Sequence, residues 1–325
     1  MYYINACSTI SHQASFQNKE WVNQLKRLTA DSVLVSPNYK EFVNGGELRR
    51  MGKIIRMGIA CSKDCVEQSN VSNPDAIIVG TGLGCLTDTE KFLKNTLTIE
   101  GLIPPTAFIQ STHNTIAGQI SLALKNHNYN MTHTQNSLSF EHSLMDAMLL
   151  LNEDNSNVLI GSADENIPLM DELANQFGLD NIAGNMTTGA SFFMLSDTKT
   201  TGSKAKVIDS YTTGLNSISA EDVVESFLKA NDLTANDIDL VLFNSNGTIN
   251  VKNVENKINS HFYSYEQYCG YYFSNSAFGM HIACEILDGK ETSFIEKEAP
   301  INRILLYNTL NDKNIGLTLL QSLEA

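Results

Sequence analysis

The chain has 325 residues, of which 42% are hydrophobic and 18% charged, an ordinary globular balance with no low-complexity tract that would read as disorder. Its formal net charge of −14 argues against nucleic acid or an anionic membrane surface as partners, because both require neutralising Lys and Arg. At this length one core approaches its limit of roughly 250–300 residues, so two lobes are expected.

The N-terminus MYYINACSTIS lacks a cationic segment followed by a long apolar one, and no apolar run approaches the roughly 18 residues of a membrane span, which predicts a cytoplasmic protein. The stretch Glu47 to Gly58 is the most basic, with Arg49, Arg50, Lys53 and Arg56 against Glu47. It reads as a solvated helix face, with docking of an acidic carrier protein as the sharper alternative. The six cysteines, Cys7, Cys61, Cys65, Cys85, Cys269 and Cys284, show neither C-x-x-C zinc spacing nor a disulfide framework, and read as reduced packing residues. Cys61 and Cys65 fall on one face of a helix.

Further along, VGTGLGC (Val79 to Cys85) follows an apolar strand. Its spacing is G-x-G-x-G, and Cys85 stands where a dinucleotide fingerprint needs its third glycine, so a plain strand-to-helix turn is the better reading. STHNTIAGQISLAL (Ser111 to Leu124) opens a helix with Ser, Thr and Asn as capping candidates, and His113 there reads as a capping or interface residue. In THTQNSLSFEHSLMDAM (Thr132 to Met148), polar residues crowd the entry to an otherwise apolar helix. An acyl-transfer nucleophile would sit at such an entry, because the helix N-terminus stabilises developing negative charge; no cysteine is present.

Strands follow at Asn157–Gly161, Gly189–Asp197 and Ser203–Gly214, then at Ile238–Leu242 and Arg303–Asn308, with the helix Ser143–Leu151 ahead of the first and the helix Ser276–Leu287 ahead of the last. Short continuous apolar strands between helices predict an α/β fold in layers, with each sheet covered on both faces. The order helix, polar loop, aspartate, apolar strand, glycine turn occurs twice, around Asp75 and around Asp239, at an offset of 164 residues. A period of half the chain suggests a duplicated unit.

Taken in order, MGKIIRMGIACSKDC, DAIIVGTGLG, PTAFIQSTHNTIAGQISLAL, NVLIGSADE, TTGASFFMLSD and FNSNGTINVKNVE resemble the succession of segments in the ketosynthases of the thiolase-like superfamily. That resemblance covers nearly the whole chain. It implies a layered αβαβα fold of two pseudo-twofold-related halves, residues 1–200 and 201–325, without a cofactor or metal. In the family such a site performs decarboxylative condensation on carrier-protein thioesters.

The departures from the family pattern concern its chemistry. Its nucleophilic cysteine falls on Ser137, with Gln135 as the other candidate. In the Asn-x-His-Gly-Thr turn, Asn244, Gly247 and Thr248 match, but Asn246 replaces the first histidine. The second histidine falls on Phe273, its upstream lysine near Tyr268, and the closing glycine loop on Asn308 to Asn314. A serine is a far poorer nucleophile than a thiolate without a positioned base, and phenylalanine donates no hydrogen bond to an enolate.

The resemblance is therefore to catalytically degenerate subunits of the chain-length-factor type, which pair with an active ketosynthase in polyketide or aryl-polyene-like pathways and meet acyl carrier protein indirectly. Pro104 to Asn114 would then cross the twofold interface, with Phe108, Gln110, Thr112 and His113 as its interface and tunnel residues. Two alternatives stay open: an active 3-oxoacyl-carrier-protein synthase or malonyl decarboxylase using Ser137 or Gln135, and a thiolase-fold binding subunit. The histidines His113, His133 and His142 read as structural.

Overall fold

A computed structural model describes residues 1–179, 184–214, 218–244, 251–258, 260–295, 300–310 and 314–324. Ten strands form one hydrogen-bonded series. They are β1 (Tyr2–Ile10), β2 (Ala76–Gly80), β3 (Tyr129–His133), β4 (Asn157–Asp164), β5 (Gly189–Ser196), β6 (Ala205–Thr213), β7 (Leu240–Asn244), β8 (His261–Ser264), β9 (Arg303–Leu310) and β10 (Asn314–Gln321). Their order is β3-β2-β4-β5-β1-β6-β10-β9-β7-β8. From each edge inward the pattern is the same: a central strand with two parallel neighbours, β2 in one half and β7 in the other, then antiparallel pairs toward the middle. The second half-sheet thus repeats the first about a pseudo-twofold axis between β1 and β6.

The aspartates that revealed the repeat do the same work in both halves. Asp75 Oδ2 accepts from the backbone N–H groups of Ser156 and Asn157 at 2.9 Å each. Asp239 Oδ2 accepts from those of Asn302 and Arg303 at 2.7 and 2.8 Å. Each carboxylate stands just ahead of a central strand and ties it to the start of the next parallel one, satisfying donors that the ladder leaves unpaired.

Helices cover the strands in three layers. Lys53–Ser69 and Thr115–Leu124 pack on the outer face of the first half-sheet, with Ile54, Ile59, Ile77, Val79, Ile116 and Phe192 in one core. Ala220–Ala230 and Val251–Lys257 cover the outer face of the second half, around Val223, Phe227, Val241 and Leu305. The helices Ser139–Leu151 and Ser276–Leu287 lie between the half-sheets, and the central core draws Ile78, Phe193, Leu242 and Leu306 from both. Alternation sorts the strands: Ile77 and Val79 enter the outer core while Ala76 and Ile78 enter the central one. The result is the αβαβα order expected from the sequence.

Two details of the sequence reading change. The basic stretch is broken: a short helix Gly45–Leu48 ends before Gly52, and the long helix begins at Lys53, so Arg49, Arg50 and Arg56 do not share one face. At Gly52 the backbone comes close to Asp88, whose carboxylate oxygen would lie 2.9 Å from a Cβ there. The second is the helix read from Ser143, which starts at Ser139, one turn earlier. All six cysteines are free and buried; the Cys65 thiol donates to the Phe192 carbonyl at 3.1 Å.

Candidate functional site

Polar side chains gather where the central strands end, at the crevice beyond the carboxyl ends of parallel strands where α/β folds place ligands. After β2 the chain turns through Thr81, Gly82, Leu83 and Gly84. Two glycines allow two close approaches. A Cβ at Gly80 would lie 2.6 Å from the Ser139 carbonyl, so glycine lets the start of the inner helix rest on the strand end. There the Ser139 hydroxyl donates to the Thr81 carbonyl at 3.0 Å. At Gly82 a Cβ would lie 2.3 Å from Cβ of Phe273. Phe273 therefore fills the space above the glycine turn, edge-on to Tyr271 at 5.6 Å.

Asp164, at the end of β4, holds this arrangement. It accepts from the Thr81 hydroxyl at 2.9 Å, the Gly82 N–H at 2.8 Å and the Ser274 N–H at 2.9 Å, and also from the Ser274 hydroxyl. Burial pushes its carboxyl above the usual range, and the Ser274, Gly82 and Thr81 donors pull against that. The loop carrying Phe273 is thus pinned to the glycine turn by one buried acid.

Of the two nucleophile candidates, Ser137 is fully buried, its hydroxyl without a partner among the described residues, whereas Gln135 is exposed. Between them Asn136 takes the left-handed conformation, φ +57°, at the junction of β3 with the helix. Asparagine adopts this conformation at little cost, and here it reverses the chain between the strand and the helix that follows. Asn308, on β9, donates through Nδ2 both to the Ser137 carbonyl and to Glu141 Oε1, each at 2.8 Å.

Glu141 was not singled out from the sequence. It lies one turn after Ser137 on the same face and is almost wholly buried. Gly316 on β10 makes room for it, since a Cβ there would come within 2.9 Å of Glu141 Cγ. Burial pushes its carboxyl up to about 7, against the Asn308 amide, the Ser276 hydroxyl and its own N–H. Tyr265 faces it, and burial together with Glu141 drives that phenol well above its ordinary value. Tyr268 is buried in the central core, its ring packed on Phe294 at 5.2 Å; Tyr265, three residues earlier in the same core, is the tyrosine beside Glu141.

Asn244 donates to Asn275 Oδ1 and accepts from the Thr309 N–H at 3.3 Å, which connects the end of β7 to this network. Asn246, Gly247 and Thr248 lie outside the described residues. Among the described residues the network contains no cysteine and no histidine. His133 instead pairs with Asp146 at 2.9 Å and stacks on His142 at 6.2 Å, and His113 packs against Gly84.

The expected interface segment forms the helix Pro105–Gln110 and the turn after it. Phe108 is 55% exposed, with Thr112 and His113 also exposed, whereas Gln110 is buried within its own protomer. Within this segment Ile109 is 62% exposed, and further on Leu122, on the outer helix, is 67% exposed. Strand β3 closes the series at one edge, with Tyr129 and Met131 partly exposed and, among the described residues, no strand beyond it. An open edge with exposed apolar residues is a ready template for another chain.

No helix among the described residues is long and apolar enough to cross a membrane. A search of curated proteins finds no match to the chain. Among solved structures, the ishigamide ketosynthase/chain length factor aligns over 99% of both chains at 12% identity with a TM-score of 0.79. A type II PKS acyl-carrier protein in complex with its ketosynthase bound to the hexaketide (AntDE:AntF) aligns over 99% of both at 15% identity and 0.78. The ketosynthase ApeO in complex with its chain length factor ApeC, from Xenorhabdus doucetiae, covers 71% of this chain and 90% of that one at 16% identity and 0.52. At such identities the likeness establishes the fold. The family model for the beta-ketoacyl synthase N-terminal domain matches residues 21–220, well over half of the chain, and the protein belongs to the beta-ketoacyl synthase family.

Proposed function

We propose that this chain is a non-catalytic, chain-length-factor-like subunit that pairs with an active ketosynthase in polyketide or aryl-polyene-like chain elongation. One observation carries the reading: Phe273, in the place of the second histidine, is seated on Gly82 at the centre of the site. A ring there removes a donor to the enolate oxygen, a loss typically costing roughly 2.7–4 kcal/mol of barrier. Ser137 adds to the case, since its hydroxyl is buried with no base among its described partners. The exposed Phe108 and the open β3 edge supply a surface for the partner, and three of the structural relatives are described as complexes of a ketosynthase with a chain length factor or a carrier protein. In this reading residues 1–200 and 201–325 are the two halves of one scaffold, and acyl carrier protein is met through the partner.

Native mass spectrometry of the tagged protein, purified gently from its own lysate, tests this. A stable 1:1 complex with a ketosynthase bearing Cys, His and His supports the reading. A monomer or homodimer that turns over malonyl-carrier protein refutes it and directs mutagenesis to Ser137 and Gln135. Restoring the set as Ser137→Cys, Asn246→His and Phe273→His in the partner complex tests the assignment of positions, with malonyl decarboxylation as the readout.

A further inference from the structure

Strand β3, at the edge of the sheet, is held differently on its two faces. On the outer face the Asn130 amide donates to the Ala117 carbonyl, on the helix Thr115–Leu124, at 3.1 Å. Tyr129, Met131 and His133 stand opposite Ala76, Ile78 and Gly80 and share their inner face. There one carboxylate serves both ends of the strand. Asp146, on the inner helix Ser139–Leu151, accepts from the Tyr129 hydroxyl at 3.3 Å, and His133 Nε2 lies 2.9 Å from the same oxygen.

His142, one turn earlier in that helix, adds a second imidazole. Its ring is tilted by 26° from that of His133, with the centroids 6.2 Å apart. Its Nε2 lies 3.4 Å from the Thr212 hydroxyl on β6, and among the described residues no carboxylate oxygen comes within 4 Å of it. The two histidines are therefore unequal. A charge on His133 has the Asp146 carboxylate as its counterion; a charge on His142 has only a hydroxyl and meets the cation on its neighbour.

Burial first, and His133 after it, hold the His142 imidazole below its ordinary 6.5. Neutral His142 is thus the form that the fold stabilises, and that stability is lost as pH falls below about 6.5. The other charged groups on the surrounding elements are engaged elsewhere. Glu141 faces Asn308 and Tyr265, Asp164 takes Thr81, Gly82 and Ser274, and Asp209 takes the Asn231 amide. Lys206 stands six residues from Thr212 along β6, about 20 Å away. Among the described residues His133 is the charge that acts on His142.

We propose that His133 and His142 form an acid-sensitive latch on the edge strand: one proton is held on His133 by Asp146, and a second, arriving on His142, drives the rings apart and loosens β3 from the inner helix. Because β3 is also the open edge assigned above to the partner, loosening it weakens the pairing. That consequence rests on the proposed function; the latch itself belongs to this chain alone and is tested without a partner.

Amide hydrogen exchange of the purified protein at about pH 7.5 and about pH 5, expressed as protection factors so that the intrinsic pH dependence of exchange cancels, reads the strand directly. Residues 129–133 should lose about fivefold or more in protection at the lower pH, the scale of two like charges roughly 6 Å apart near a protein surface. His142→Gln cannot take the second proton, so its β3 should keep its protection or gain some, since the charge on His133 then only strengthens the bond to Asp146. Glu141 titrates in both proteins, and the comparison cancels its contribution. Protection in the wild type that is equal or greater at the lower pH, or a loss of the same size in His142→Gln, overturns the proposal. If that variant does not fold, His133→Gln decides: it removes the opposing charge and must abolish the acid loss, and a loss that survives overturns it.

Discussion

Glu141 gives a stability prediction whose size follows from its surroundings. In the fold its carboxyl titrates at about 7 rather than 4.5 because burial disfavours the charged form. That difference is worth roughly 3 kcal/mol at about 1.4 kcal/mol for each pH unit. An acid whose pKa is raised by folding stabilises the folded protein while it is protonated. The contribution is complete below 4.5, falls as pH rises toward 7 and is gone above 7. Glu141→Gln has the same volume, keeps an oxygen for the Asn308 amide and cannot ionise. Urea unfolding of both proteins at about pH 5 and about pH 8 should show the wild type losing roughly 2–3 kcal/mol more than the variant between the two conditions. Parallel loss in the two proteins would refute the reasoning, because it would mean that Glu141 is solvated or already paired with a cation.

Further expectations concern packing and pairing. Gly82→Ala should cost roughly 1–3 kcal/mol, because its methyl would collide with Phe273; adding Phe273→Ala should recover most of the loss, as thermal melts of the single and double variants will show. Asp75→Ala and Asp239→Ala should each destabilise by roughly 1–3 kcal/mol, since each strands two backbone N–H groups, whereas the Asn variants, which keep an acceptor oxygen, should lose less in the same denaturation assay. Phe108→Glu, at an exposed position, should leave the melting temperature nearly unchanged yet abolish co-purification of a partner ketosynthase.

Much of the scaffold was legible because it is written twice. The paired aspartates and apolar strands recur at one offset, and the period survives although the two copies differ in nearly every other residue. The departures from the family's thiol and imidazoles were also readable as letters, at Ser137, Asn246 and Phe273, and they are the basis of the proposed non-catalytic role. Glu141 was not readable, because a glutamate among Phe140, His142 and Ser143 looks like the wet side of an amphipathic helix, and only the second half-sheet, folded over it, dries that side. The left-handed turn at Asn136 was not legible either, since such a φ leaves no mark in composition when the residue is not glycine.

The β1–β6 junction has a consequence of another kind. Only three residue pairs, from Tyr2 with Val207 to Ile4 with Ala205, join the two half-sheets, so the strands alone hardly hold the halves together. The inner helices do, because each of them touches strands of both halves. Either half cut out alone would leave its inner helix with one side uncovered, so the two halves stand or fall as a single folding unit, and severing the chain between them should yield pieces that are stable only when they meet again.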